Sequence, residues 1–492
     1  MSAEVEASMR DRGVDERRAV KSMAWTVVSF GGSRLLVFGV TIVLARLLTP
    51  ADFGVVAAGM AVLAYLEIGL DVGVGAALIY EQEEGVTPRV QTAFTLNLLV
   101  AAAFTVAGVL SAPALADLLH VPAHVALLQL LFCTVLVRGA GQVQDALLRR
   151  DLRFRERTAV DLTRAAVRAV VSIAFALLVP GPQALVVGIL VGEAVGTLVT
   201  WVLVGFRPTL ALDRTAAVAL LRFGGAVVVL RVLGVAFGSS DYLVVGARLG
   251  PGQLGLYSMA YRLPELLVAN LYYIFSTVAF SMYSRSRETD ASGFGNVMLR
   301  ALTLLTLFGF AAGTGLALVA HDAIRVLLGP SWLPAAPPMI LIALMLAVSA
   351  VGYASGDIFL AVGRPGLLVA VSAPMTAIAV LGFVLAAPHG ITAVAVVHLV
   401  LMVVYSALRL VLAGRVVSVP LSASLAAFWP ALVATAGVLA CGLPVRLLAA
   451  PSVGRLLGTV VAGVVGCVAA LALLSRDTLP ELRRLAGAAV AR

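Results

Sequence analysis

The chain has 492 residues, 61% of them hydrophobic and 12% charged, with a mean hydropathy of +1.04. An ordinary soluble domain carries about 25% charge, so the composition excludes a soluble globular protein and predicts an all-α polytopic membrane protein. The formal net charge of +9 is weak evidence for nucleic-acid binding, and none is expected.

A helix crosses the hydrocarbon layer with about 20 apolar residues, and 14 candidate spans are read along the chain. They run approximately 22 to 46, 53 to 79, 92 to 117, 122 to 148, 157 to 180, 183 to 206, 218 to 246, 253 to 283, 297 to 320, 333 to 361, 365 to 387, 390 to 413, 424 to 446 and 452 to 474. The runs are continuous and lack period-two alternation, which favours helices over a barrel. A polar tail of about 21 residues precedes the first span, so no cleavable signal peptide is expected.

In chain order, the first span opens with FGG at Phe30 to Gly32, carries Arg34, and ends in ARLLTPADFG at Ala45 to Gly54. The second carries Glu67 and Asp71, the fourth Arg138 and Asp145, the fifth Arg164 and Arg168, and the sixth Glu193. The seventh opens with FGG again at Phe223 to Gly225, carries Arg231 and Asp241, and ends in ARLGPGQLG at Ala247 to Gly255. Pro50 maps to Pro251 and Gly54 to Gly255, both 201 positions on, so one helix end, turn and helix start is written twice. Internal duplication in a membrane protein is the usual ground plan of a transporter with its substrate site between the halves. The eighth span bears Tyr257, Tyr261, Tyr272, Tyr273 and Phe275 beside Arg262 and Glu265, and Asp357 lies near one end of the tenth.

The basic residues orient the bundle. Only Arg46, Arg248, Arg325, Arg446 and Arg455 fall on one set of connections, and most of the rest fall on the other set and the termini. The positive-inside rule then puts both termini in the cytoplasm. Lys21 is the only lysine and no GxxxxGK surrounds it, so a nucleotide-hydrolysing P-loop is absent. Cys133, Cys441 and Cys467 have no metal-ligand spacing, and His120, His124, His321, His389 and His398 form no paired-ligand pattern. No catalytic residue, metal or cofactor is expected.

A charge at mid-bilayer costs about 2.5 to 3.5 kcal/mol on insertion scales and persists only inside a bundle or against a wet cavity. The ionisable residues within the spans are therefore the candidates for function. Glu67 and Asp71 share a helix face at a spacing of four, as do Arg164 and Arg168, and Arg138 and Asp145 share one at seven. Such stripes fit two readings: a common cavity, or interhelical ion pairs such as Arg34 with Glu67 or Arg138 with Asp71. A guanidinium grips phosphate with two parallel hydrogen bonds, which makes mid-membrane arginine suited to a pyrophosphate headgroup. The tyrosines fit sugar stacking or plain packing.

Four ordered stretches carry a family resemblance: SFGGSRLLVFGVTIVLARLLTPADFGVVAAG at Ser29 to Gly59, DVGVGAALIYEQE at Asp71 to Glu83, QDALLRRDLRFRER at Gln144 to Arg157, and DYLVVGARLGPGQLGLYSMAYRLPEL at Asp241 to Leu266. Together they resemble the polysaccharide flippases of the multidrug/oligosaccharidyl-lipid/polysaccharide exporter superfamily, nearest to the branch with colanic-acid and teichuronic-acid exporters. The resemblance covers most of residues 20 to 420, and the last two spans match poorly. It implies a tail at 1 to 21, a six-helix lobe at 22 to 206, a linker at 207 to 217, a second six-helix lobe at 218 to 413, two additional helices at 414 to 474 and a tail at 475 to 492.

The implied function is translocation of undecaprenyl-pyrophosphate-linked oligosaccharide across a bacterial cytoplasmic membrane by alternating access. Membrane lipid, a polysaccharide polymerase and glycosyltransferases are the implied partners. The resemblance also implies a cationic central cavity, onto which Arg34, Arg138, Arg231 and Arg262 are placed by helix position, with Tyr261 beside them. Glu67, Asp71 and Asp145 depart from a purely basic cavity and are either ion-coupling groups or partners of the arginines. Two alternatives stand beside this reading: a cation-coupled drug exporter of the same superfamily, against which the mid-membrane arginines argue, and a non-transporting scaffold of a polysaccharide synthesis complex.

Overall fold

The computed structural model describes residues 32, 36–70, 87–151, 153–205, 209–269, 272, 293–362 and 364–475, and no strand occurs among them. The all-helical outcome follows from the solvent: with no water in the hydrocarbon layer, each backbone N–H and C=O is paired within its own segment. In order come α1 (Leu36–Leu47), α2 (Pro50–Leu70), α3 (Thr87–Leu118), α4 (Val125–Arg150), α5 (Phe154–Leu178), α6 (Gln183–Val204) and α7 (Arg214–Pro264). They are followed by α8 (Gly293–Ala323), α9 (Ala336–Ala361), α10 (Pro365–Ala386), α11 (Ile391–Val416), the short α12 (Leu421–Ala426), α13 (Trp429–Leu448) and α14 (Val453–Leu474).

Among the described residues, 11 stretches are long and apolar enough to cross a membrane, against the 14 expected. Three differences make up the gap. Only Leu36–Leu47 of the first expected span is a described helix, and it is short. The helix α5 forms where the fifth span was expected, but Arg155, Glu156, Arg157, Asp161, Arg164 and Arg168 make it too polar to stand as an apolar run. The seventh and eighth spans are one run, Val232–Val268, broken at Gly250. Gly250 has φ 78° and ψ 178°, a backbone setting that side chains with a Cβ avoid, and Pro251 then starts the next helical segment with its φ already fixed.

The first copy of the duplicated motif starts its helix by a different device. The Thr49 backbone N–H donates to Asp52 Oδ2 at 2.8 Å, and the Asp52 N–H donates to Thr49 Oγ1 at 3.3 Å, a reciprocal capping box at the start of α2. The two copies then meet. A Cβ on Gly54 would fall 1.7 Å from the Pro251 carbonyl oxygen, and a Cβ on Gly255 would fall 1.7 Å from that of Pro50. Each glycine thus lies against the proline of the other copy, and the absent side chains let the backbones touch.

Contacts divide the chain into two compact units: the described parts of Met1–Leu48 and Gly59–Val232 form the first, and those of Thr49–Ala58 and Leu233–Ala491 form the second. In the first unit α3 packs on α4, α4 on α6 and α5 on α6. Gly188, Gly192 and Gly196, four residues apart on α6, face Ser172, Arg168 and Arg164 of α5. A Cβ on Gly188 would meet Ser172 Oγ at 1.9 Å and one on Gly196 would meet Arg164 Nε at 2.7 Å, so this stripe sets how near α5 comes.

In the second unit α8 packs on α9, α9 and α10 on α11, and α13 and α14 on each other and on α8. Tyr272, Met298, Leu302, Leu305, Ile358 and Phe359 are buried in its core. Arg455 at the start of α14 forms an ion pair with buried Asp322 near the end of α8, Nε to Oδ2 at 2.8 Å. That pair fastens the last two helices to the rest of the unit. Outward faces carry Leu110, Leu178, Val202, Leu385 and Val461, all exposed, an apolar surface suited to lipid.

Candidate functional site

The first unit holds a charged network built from four helices. Arg138 of α4 presents its two terminal nitrogens to two acids: Nη1 pairs with Glu67 of α2, and Nη2 donates to Glu193 Oε1 of α6 at 2.8 Å. The second oxygen of Glu193 faces Arg164 of α5, with Nε 3.1 Å away, a charge contact without hydrogen-bond alignment. Arg164 Nη1 reaches Asp161 Oδ1 one turn earlier at 3.3 Å. The close approach of α5 at Gly196 is what brings Arg164 to Glu193. Glu193 is held between two arginines with its side chain 9% exposed, whereas the Glu67 side chain is 31% exposed. Of the two acids on Arg138, Glu67 is therefore the more readily displaced.

The remaining candidates fall elsewhere. Arg34 and Asp71 lie outside the described residues, and Arg231 is on α7 with its side chain outside them. Asp145 does not join the Arg138 network, although both stand on α4: it pairs with Arg149 one turn on, and Arg157 Nε of α5 is 3.3 Å from its Oδ1. That end of α4 and the start of α5 are rich in arginine, and the carboxylate takes one partner from each helix. Arg262 is exposed on α7. Glu193, absent from the expected site although it was among the ionisable span residues, enters because α6 carries it to Arg138.

Tyr261 is buried in the second unit. Its hydroxyl donates to Asp241 Oδ2 at 2.8 Å and contacts His398 Nδ1 of α11 at 2.9 Å. Tyr257 donates to the same carboxylate oxygen at 2.9 Å, and the Tyr242 backbone N–H donates to Asp241 Oδ1 at 3.0 Å. Asp241 is 0% and His398 3% exposed. Rings enclose the group: Tyr242 lies 5.3 Å from Tyr261, and Phe383 of α10 lies 5.1 Å from His398 between centroids. Sequence reasoning missed this cluster, because one histidine on an apolar helix, 157 positions after the aspartate, matches no local motif.

A family model described as polysaccharide biosynthesis protein matches residues 43–337. The succinoglycan biosynthesis transport protein ExoT of Rhizobium meliloti is 26% identical over 336 residues, 67% of this chain and 67% of that protein. The teichuronic acid biosynthesis protein TuaB of Bacillus subtilis is 22% identical over 308 residues, 62% of this chain and 63% of that protein, so the matched stretch spans less than two thirds of that relative. Among solved structures, the lipid II flippase MurJ in an inward closed conformation superposes with a TM-score of 0.75 at 14% identity, covering 93% of this chain and 99% of that one. At that identity the likeness is one of fold: a multi-pass helical membrane architecture.

Proposed function

Because this chain belongs to the polysaccharide biosynthesis protein family, matched over residues 43–337, we propose that it moves lipid-linked oligosaccharide, carried on undecaprenyl pyrophosphate, across the cytoplasmic membrane of a bacterium by alternating access. The family match is the observation that carries the reading. It agrees with the transport role in the name of the Rhizobium relative.

The Arg138 network supplies the chemistry for the headgroup. Arg138 already offers a two-pronged guanidinium to carboxylate oxygens on two helices, and a diphosphate presents oxygens that fit the same fork. On this reading the headgroup displaces Glu67, while Glu193 stays held by Arg164. Arg34, Arg231, Arg262 and Tyr261 remain proposed substrate contacts, and Asp71 and Asp145 remain proposed coupling or pairing groups. The lobes at 22 to 206 and 218 to 413, the cytoplasmic placement of both termini, and a polymerase and glycosyltransferases as neighbours belong to the same proposal.

The test is a leaflet-resolved assay of lipid-linked oligosaccharide in cells with and without the protein. Loss of the protein should leave the lipid-linked unit on the cytoplasmic leaflet. An unchanged distribution across the two leaflets would sink the transport reading and favour a scaffold, whereas altered drug efflux alone would favour a drug exporter.

A further inference from the structure

The buried cluster around Asp241 in the second unit has no part in the headgroup chemistry proposed for Arg138, and its hydrogen bonds constrain where the protons are. A tyrosine hydroxyl has one proton to give. Tyr257 and Tyr261 both give theirs to Asp241 Oδ2, and the Tyr242 backbone N–H takes Oδ1. Donors reach both carboxylate oxygens, three in all, an arrangement that favours the ionised form of Asp241. When Tyr261 gives its proton to an ionised Asp241, its oxygen accepts from His398, and the matching tautomer has its hydrogen on Nδ1. The same Nδ1 stands 3.3 Å from Asp241 Oδ2. With the first ring proton on Nδ1, the second, on Nε2, decides the charge.

The charge follows from the surroundings. No arginine or lysine is in ion-pair contact with Asp241 among the described residues. His398 Nδ1, 3.3 Å away, is the basic group within ion-pair distance, and it is cationic only when the ring is doubly protonated. An isolated carboxylate buried in the hydrocarbon depth is strongly disfavoured, and an imidazolium beside it removes the net charge.

The other polar and charged groups around the cluster are few. Arg262 on α7, and Glu265 in the π-helical turn that follows it, act on Tyr242 from a distance. On α10 and α11, Ser372 and Tyr405 share a hydrogen bond of 2.7 Å, and Arg409 lies over the Tyr405 ring at 5.2 Å.

We propose that Asp241 and His398, tied together through Tyr261, form a proton-binding site within the membrane. The exchangeable proton is the one on Nε2 of the His398 imidazolium. It leaves to water, the Nδ1 hydrogen stays with Tyr261 and Asp241, and the ring becomes neutral. Loss of that proton leaves one uncompensated negative charge among Tyr257, Tyr261, Phe383 and Phe237, so occupancy of the site biases the packing of α7 against α10 and α11. Of its members only Tyr261 is also a proposed substrate contact, and proton binding at Asp241 and His398 is read without transport.

The test reads the proton directly and needs no transport. Protein with 15N-labelled histidine is placed in lipid nanodiscs with K+ as the only metal cation. Its five histidines give few ring signals, and His398→Gln identifies the one that matters. The His398 signal should pass from imidazolium to the neutral Nδ1–H form as pH rises between 5 and 9. Asp241→Asn should move that midpoint to lower pH by about one unit, a roughly ten-fold weaker hold on the proton. Tyr261→Phe takes one donor from the carboxylate and leaves the Nδ1 hydrogen to Asp241, so it should raise the midpoint, which a packing role alone would not do.

If Asp241→Asn does not fold, Tyr257→Phe takes its place. Removing one donor from the carboxylate strengthens its pull on the imidazolium and should raise the midpoint. A His398 ring neutral across the whole range overturns the proposal, as does a midpoint indifferent to the partner substitution. A midpoint lowered when Na+ replaces K+ would also overturn it, assigning the site to a metal cation in place of the proton.

Discussion

Gly54 stands so close to Pro251 that its missing side chain is occupied by the proline's carbonyl oxygen, 1.7 Å from where a Cβ would lie, and Gly255 stands in the same relation to Pro50. The two copies of the motif are therefore each other's packing partner. Gly54→Ala and Gly255→Ala should each destabilise the protein by about 1 to 3 kcal/mol, the cost of forcing an atom into a filled site. Gly39→Ala, at a position with nothing within 4 Å of a Cβ, is the control. Thermal unfolding in detergent reads the difference, and equal melting temperatures for all three variants would contradict the close contact.

Arg138→Ala separates structure from function. It leaves Glu193 with Arg164 alone and Glu67 without the Arg138 guanidinium. Breaking a fully buried pair costs about 3 to 5 kcal/mol, and with the Arg138 side chain 28% exposed the loss here should be smaller. Adding Glu67→Gln removes the stranded charge and should bring the membrane level of the protein back toward wild type. Export should stay low in the double variant, because the phosphate fork is still missing. Restored export together with restored level would mean that Arg138 is only a structural partner.

Arg138→Lys keeps the charge and loses the planar fork, so export should fall below wild type while insertion is normal, and Arg138→Ala should export less than Arg138→Lys. Export by the lysine variant at the wild-type rate would argue against two-pronged phosphate contact.

Asp322→Ala leaves Arg455 at the start of α14 without its carboxylate partner and should loosen α13 and α14 from α8. Asp322→Ala with Arg455→Ala should be less damaging than the sum of the two, with a coupling of about 0.5 to 3 kcal/mol in a double-mutant cycle. Additive effects would show that the last two helices are held by apolar packing alone.

By the positive-inside rule, the excess of arginine on one set of connections predicts that both termini lie inside. A reporter active only outside the membrane, fused at either end, should be silent. Activity at one end would require an odd number of spans.

The fold class was legible because composition and run length are one-dimensional properties: a chain this apolar can satisfy its backbone in lipid only as helices. The duplication was legible too, but that its copies touch was not, because sequence carries no distances across 201 positions. Arg138 was visible as a mid-membrane cation, while its second partner Glu193 depends on how near α5 and α6 come at three glycines. Asp145 shared a face with Arg138 on paper, yet Arg149 at the end of α4 and Arg157 at the start of α5 claim it. His398 looked like a stray polar residue until α11 brought it beside Asp241. Arg34 and Asp71 lie outside the described residues, so their sequence readings stand as proposals.

The arginine network has an electrical corollary. Arg138 and Arg164 are met by Glu67, Glu193 and Asp161, two cations by three anions, so this set of side chains holds no surplus positive charge when empty. On the proposed reading, a diphosphate cargo adds its negative charge to the site. Carrying that added charge outward from a negatively polarised interior is downhill by about 2.3 kcal/mol for each charge crossing 100 mV, and the return step without cargo does not carry it back. The resting voltage of the cell would then act as a ratchet on direction, with no nucleotide consumed by the chain itself.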